Sequence, residues 1–186
     1  MLIKIAPTLI MFVFTFFIGI ATLAKAESDA APKVAEVAEL FGLPLNDLSV
    51  SQLNKQLNSM GLSSYPSYKD GAVSYSLGPE GILGVTNATI YSNGSGYVRQ
   101  ALLSGVVESK EKRKALGDLL TRKYGNPSEG ALNNGIGRSK WLFTDGTMIE
   151  LHNTTYDVSL MYVDGSPKVV ARSGQIDVEA LSRKNQ

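Results

Sequence analysis

Two Asp-Gly pairs, Asp70-Gly71 and Asp145-Gly146, do most to restrict the folds open to this chain. An Asp-Gly pair between β-forming segments reverses the backbone into an antiparallel hairpin, because both residues tolerate positive φ. The first pair parts Tyr65–Lys69 from Ala72–Leu77, and the second parts Lys140–Thr144 from Thr147–Leu151. Asn93-Gly94-Ser95-Gly96 separates a further two strands, Val85–Ser92 and Tyr97–Val107. A last strand is expected over Tyr156–Val163, where Val158, Leu160 and Tyr162 alternate as on a half-buried sheet. The 18 glycines, with frequent Asn and Ser, suit a turn-rich, strand-rich fold.

Helices interrupt this pattern. Ser49-x-x-Gln52 reads as a capping box, followed by Val50, Leu53, Leu57 and Met60 on one face and a stop at Gly61. Ser109–Tyr124 is strongly charged but carries Leu116, Leu119, Leu120 and Tyr124 on one side, and ends at Gly125-Asn126-Pro127. A shorter helix is expected from the spacing of Val34, Val37 and Phe41, closing at Gly42. Ser128–Gly137 reads as a loop, and residues past Asp164 as a polar tail with a short helix around Asp177–Arg183 or none.

The beginning of the chain reads as an export signal. Lys4 precedes an apolar run from Ile5 to Ala24, which closes on Ala24-Lys25-Ala26, and cleavage is expected before Glu27. A run of that length also suits a membrane anchor. The small residues around Lys25, and the polar Glu27-Ser28-Asp29 in place of a basic stop-transfer cluster, favour cleavage. The expected organisation is a signal peptide at 1–26, a linker and short helix at 27–48, an α+β domain at 49–164 and a tail at 165–186. The domain divides into halves at 49–108 and 109–164, each with an amphipathic helix, a glycine stop, an Asp-Gly hairpin and closing strands. Either the halves descend from a duplication, or they are two similar solutions to one packing problem.

With no cysteine, the chain has neither disulfides nor a lipobox cysteine, so no lipid anchor is expected. Loss of Lys4 and Lys25 with the leader would leave 16 basic against 17 acidic residues, from 18 and 17 in the whole chain. A neutral protein offers nucleic acid no electrostatic footprint. One histidine and no cysteine leave a zinc site short of ligands, and no cofactor is expected. His152 falls on the same strand face as Glu150, a pair that reads as a base oriented by a carboxylate or as ordinary surface residues. Ser159 and Ser166 are the serines His152 could serve, and neither stands in a Gly-x-Ser-x-Gly context. The basic residues Lys110, Lys112, Arg113, Lys114, Arg122 and Lys123 read as a solvated helix face. Gly135-Ile-Gly137-Arg-Ser-Lys140 lacks phosphate-loop spacing and reads as a flexible loop. Among the aromatics, Trp141 and Tyr162 belong to the core with Leu160. Tyr65, Tyr68 and Tyr91, set among Ser, Asn and Gly with Asn93 nearby, form a candidate binding surface.

A capped helix after Gly42-Leu43-Pro44-Leu45, followed by strands, resembles the BamE/SmpA-like and beta-lactamase-inhibitor-protein-like modules of exported bacterial proteins. Lys123-Tyr124-Gly125-Asn126-Pro127, Trp141, Ile149-x-Leu151 and Leu160-x-Tyr162 are similar to a pattern recurring among exported bacterial proteins. The resemblance implies a helical layer on one face of an antiparallel sheet and protein binding through the exposed face. The BamE-like proteins are lipoproteins, and this chain departs from them in having no cysteine to lipidate.

The reading is an α+β protein with a largely antiparallel sheet and helices packed on one face. The expected role is a non-catalytic binding or accessory protein in the periplasm or outside the cell, with a protein partner in the cell envelope or a cell-wall polymer. An inhibitor or immunity-type protein against an envelope-targeting hydrolase, and a small periplasmic hydrolase, are the alternatives.

Overall fold

The computed structural model describes residues 34–67, 69–107 and 109–170. The leader, Tyr68 and the helix considered around Asp177–Arg183 lie outside those residues. The elements run β1 (Glu39–Leu40), β2 (Leu43–Pro44), α1 (Val50–Ser59), β3 (Ser64–Pro66), β4 (Ala72–Ser76), β5 (Val85–Ser92), β6 (Val98–Val106), α2 (Lys110–Tyr124), β7 (Glu129–Asn133), β8 (Ile136–Leu142), β9 (Thr147–Asn153) and β10 (Asp157–Asp164). β1 and β2 form a two-residue ladder of their own. The remaining strands make one antiparallel sheet of eight, in the order β3-β4-β5-β6-β10-β9-β8-β7.

That order contains one plan twice. A helix is followed by four strands that meander outward-in, α1 with β3 to β6 and α2 with β7 to β10. The final strands of the two meanders then pair with each other, Leu103 opposite Leu160. The Asp-Gly pairs do not hold equivalent places in this plan. Asp70-Gly71 lies between the first and second strands of its meander, and Asp145-Gly146 between the second and third of the other.

Both helices begin as their sequences require. Ser49 Oγ accepts the N–H of Gln52 at 3.2 Å, and the Gln52 carboxamide oxygen accepts the Ser49 N–H at 3.3 Å, closing the capping box. Ser109 Oγ accepts from Lys112 N at 3.3 Å, and Gly125 at φ 77° ends α2 ahead of Pro127. Leu53 and Leu57 from α1, with Leu116, Leu120 and Tyr124 from α2, pack on one sheet face against Ala88, Ala101, Ile149, Leu151 and Leu160. Trp141 and Tyr162 join this core, 2% and 7% exposed.

Four expectations fail in whole or in part. The helix over Val34–Phe41 is replaced by the β1–β2 hairpin, turned by Phe41 and Gly42 at φ 51° and 82°. Ala38 and Leu40 are buried while Val34 is exposed, so the two-residue period governs there. The loop at Ser128–Gly137, with the flexible segment at Gly135–Lys140, is instead the β7–β8 hairpin. Asn134 and Gly135, at φ 52° and 82°, make its tight turn, and Asn133 pairs with Ile136. At Asp70-Gly71 the ladder starts later than a two-residue turn requires, with Pro66 opposite Val73. Ala72 N–H still reaches Lys69 C=O at 3.2 Å, while Gly71 C=O accepts from Ser92 N, extending the β5 side. The solvated reading of the basic helix face fails at one position. Arg113 is buried, and its guanidinium donates to the carbonyls of Val107 and Thr155, each at 2.6 Å.

Candidate functional site: the open face of the sheet

The two helices occupy one face of the eight-stranded sheet, and no described element packs on the other. The register arranges that open face in rows. The middle row crosses all eight strands: Tyr65, Ser74, Thr89, Leu102, Met161, Glu150, Lys140 and Glu129. One neighbouring row carries Ala72, Tyr91, Gln100, Val163, Met148 and Leu142. The other carries Ser76, Asn87, Ser104, Ser159, His152, Arg138 and Ala131.

Three chemistries follow one another across this surface. The β3–β5 side is neutral and polar. Tyr65, 43% exposed, donates its hydroxyl to Asn87 Oδ1 at 3.2 Å, and the hydroxyls of Ser74 and Thr89 meet at 3.1 Å. The centre, where the two meanders join, is apolar. Leu102, Met148, Met161 and Val163 are half-buried by one another, and Leu142 continues the strip at 52% exposure. Gln100 Nε2 donates to Met161 Sδ at 3.2 Å and holds one edge of it. The β7–β9 side is ionic. Glu150 receives Arg138 Nε at 3.2 Å and Lys140 Nζ at 3.8 Å, and Lys140 reaches Glu129 at 3.6 Å.

Of the residues expected to form a binding surface, Tyr65 and Tyr91 share this face, on β3 and β5. Tyr68 lies outside the described residues. Asn93 does not belong with them. Its Oδ1 accepts the N–H groups of Ser95 and Tyr97, both at 3.0 Å, and its Nδ2 donates to the Lys168 carbonyl at 2.8 Å. The whole amide is spent on shaping the β5–β6 turn and tying down the segment after β10.

Glu150 and His152 do share the open face, as their two-residue spacing requires. His152 lies opposite Arg138 on one side and Ser159 on the other. Yet Glu150 is engaged by the two cations, and no hydrogen bond links His152 to Glu150 or Ser159. Ser166 is set apart from both, its N–H held by Asp164 Oδ1 at 3.0 Å. The arrangement can fix charges on a surface, but it does not align a carboxylate–imidazole–hydroxyl relay.

The apolar centre is the feature that candidate residues chosen for polarity or aromaticity left out. Its signal stands in the sequence as unbroken apolar runs, Ala101-Leu102-Leu103 and Leu160-Met161-Tyr162-Val163, which put hydrophobic side chains on both faces of β6 and β10. Compared with protein-family models, with curated protein sequences and with solved structures, the chain gives no match.

Proposed function

We propose that this chain is an exported binding or accessory protein of the bacterial cell envelope, which holds a protein partner on the open face of its sheet. The observation that carries the reading is the uncovered apolar strip of Leu102, Met148, Met161, Val163 and Leu142, flanked by tyrosine and hydroxyl groups on one side and by an ionic ladder on the other. A contiguous exposed apolar patch with a polar rim is the usual composition of a protein-binding surface. Tyr65 and Tyr91 supply large contact area with few rotatable bonds. The Ala24-Lys25-Ala26 leader supports export. The helical layer on one face of an antiparallel sheet agrees with the layout implied by the resemblance to BamE-like and beta-lactamase-inhibitor-protein-like modules.

The test is affinity capture from periplasmic extract with the natural protein and with Met161→Glu and Leu102→Arg. A stoichiometric partner kept by the natural protein and lost by both folded variants supports the reading. A partner held equally well by both variants, or none held above background, overturns it. If the retained partner is a hydrolase whose activity falls on binding, the role is inhibition.

A further inference from the structure

On the opposite side of the sheet, between α2, the β1–β2 hairpin and the β4–β5 connection, lies a cavity of about 330 Å³. Leu40, Leu77, Val85, Leu103, Leu116 and Leu160 make its walls. Ile82 and Leu119, 51% and 41% exposed, form part of its rim. Such volume and apolar lining fall at the lower end of the range for small-molecule sites.

The polar groups of the cavity gather around two tyrosines. Tyr124 is fully occupied: its hydroxyl accepts the Glu39 N–H and donates to the Glu39 carbonyl, both at 3.2 Å. Lys123 Nζ pairs with Glu39 Oε2 at 2.8 Å, so the rim carries no net charge. Tyr162 differs from its neighbours. It lines the cavity, it is 7% exposed, and its hydroxyl has no hydrogen-bond partner among the described residues. With no partner among those residues, the hydroxyl is left to donate to an acceptor placed in the cavity. Burial, with smaller contributions from Tyr124 and Glu39, pushes the Tyr162 phenol well above its ordinary range, so it remains a protonated donor.

From this geometry we infer that the cavity binds a neutral single-chain aliphatic ligand, a medium-chain acyl amide or ester, whose carbonyl oxygen accepts from the Tyr162 hydroxyl. The size follows from the volume of about 330 Å³, at the lower end of what small-molecule sites offer. The neutrality follows from Glu39. Its carboxylate is already balanced by Lys123, and a second carboxylate beside Tyr162 would stand unpaired in apolar surroundings. This site lies on the helix-covered side of the sheet and is independent of the partner surface proposed above.

Octanamide is the probe, titrated into the full chain by calorimetry and followed through backbone-amide NMR shifts. Saturable one-to-one binding is expected, with shifts at Leu77, Val85, Leu116 and Leu160. Tyr162→Phe should weaken it by about fivefold, the loss of one neutral hydrogen bond. Octanoate, equally long but charged, should bind at least about tenfold more weakly. Ile82→Glu, at an exposed rim position that tolerates charge in the fold, should also weaken octanamide. No saturable binding overturns the inference, as does binding unchanged in both Tyr162→Phe and Ile82→Glu. Shifts confined to the open sheet face would equally overturn it.

Discussion

The two meanders share a connectivity and differ in how each is fastened to its helix. In the first, α1 is short and sits on aliphatic contacts. Leu53, the fourth residue after the Ser49 cap, is fully buried, and Asn54 accepts the hydroxyl of Tyr75 on β4. In the second, the fourth residue after the Ser109 cap is Arg113, also buried but bonded to two carbonyls outside the helix. The β7–β8 turn is pressed against that part of α2, and Asn153 Nδ2 binds the Gly135 carbonyl at 3.0 Å. One topology therefore tolerates an oily fastening and a polar one at the same place. The polar one demands more of its neighbours, because every buried donor and acceptor must find a partner. Its incompleteness shows in Arg113 Nε, Ser139 Oγ and Asn153 Oδ1, which are buried in this half without partners among the described residues.

The sharpest way to break the comparison lies in the first hairpin of each meander. Gly135 has φ 82°, and a Cβ there would lie 2.7 Å from Lys114 N and 2.9 Å from the Arg113 carbonyl carbon. Gly71 has φ 72° but meets only Ser92 O, at 3.4 Å. Gly135→Ala should cost about 3 kcal/mol, backbone strain and collision combined, against about 1 kcal/mol for Gly71→Ala. Urea midpoints measure both, and equal losses would mean that the second turn is not docked on α2.

A smaller effect is expected at the fourth helical position. Arg113→Leu keeps an apolar stem but strands the Val107 and Thr155 carbonyls, a loss of about 2 kcal/mol. Leu53→Met, which conserves volume, should cost less than about 1.5 kcal/mol. Denaturant unfolding of the two variants side by side gives the contrast, and a neutral Arg113→Leu would show the polar fastening to be dispensable.

The smallest contrast separates two buried tyrosines. Tyr75→Phe deprives Asn54 of its donor and should cost about 1 kcal/mol, whereas Tyr162→Phe, with no internal bond to lose, should be neutral or stabilising. Burial raises both phenols above their ordinary value. The unfolded chain then ionises first, so the contribution of each is complete below about pH 10 and is lost as pH rises beyond it. Melting temperatures across that range should fall less steeply in Tyr162→Phe than in the natural protein. An identical slope would remove Tyr162 as a source of alkaline sensitivity.

Much of the fold was legible because its signals are local. Ser49-x-x-Gln52 announced the first helix, the Leu116, Leu119, Leu120 and Tyr124 face with its Gly125-Asn126-Pro127 stop announced the second, and the alternation Val158, Leu160, Tyr162 announced β10. The β7 strand was hidden despite Asn134-Gly135, as strong a turn signal as either Asp-Gly pair. Glu129–Asn133 is an edge strand, exposed at every position but Leu132, so it has no buried period to read. The N-terminal hairpin was masked by a spacing of three and four that helices and chance share. Matching the two halves by their Asp-Gly pairs aligned turns that are not equivalent; the counterpart of Asp70-Gly71 is Asn134-Gly135. Of the candidate surface, Tyr65 and Tyr91 were readable from their company of Ser and Asn. Its apolar centre depends on β6 pairing with β10, a contact that residue spacing does not encode.

That pairing also governs how the chain can reach its final form. Gln100 and Val163 are the outermost partners of a ladder whose two strands are separated by the whole of α2 and three further strands. During synthesis, the first meander is complete while β6, nine residues long, still offers an unpaired edge. A non-local closure of this kind slows folding, and an edge left waiting can be met by the β10 of a second molecule. The two meanders are therefore poor candidates for separate expression: divided between β6 and α2, each piece would carry a long strand edge that only the other, or another copy, can close.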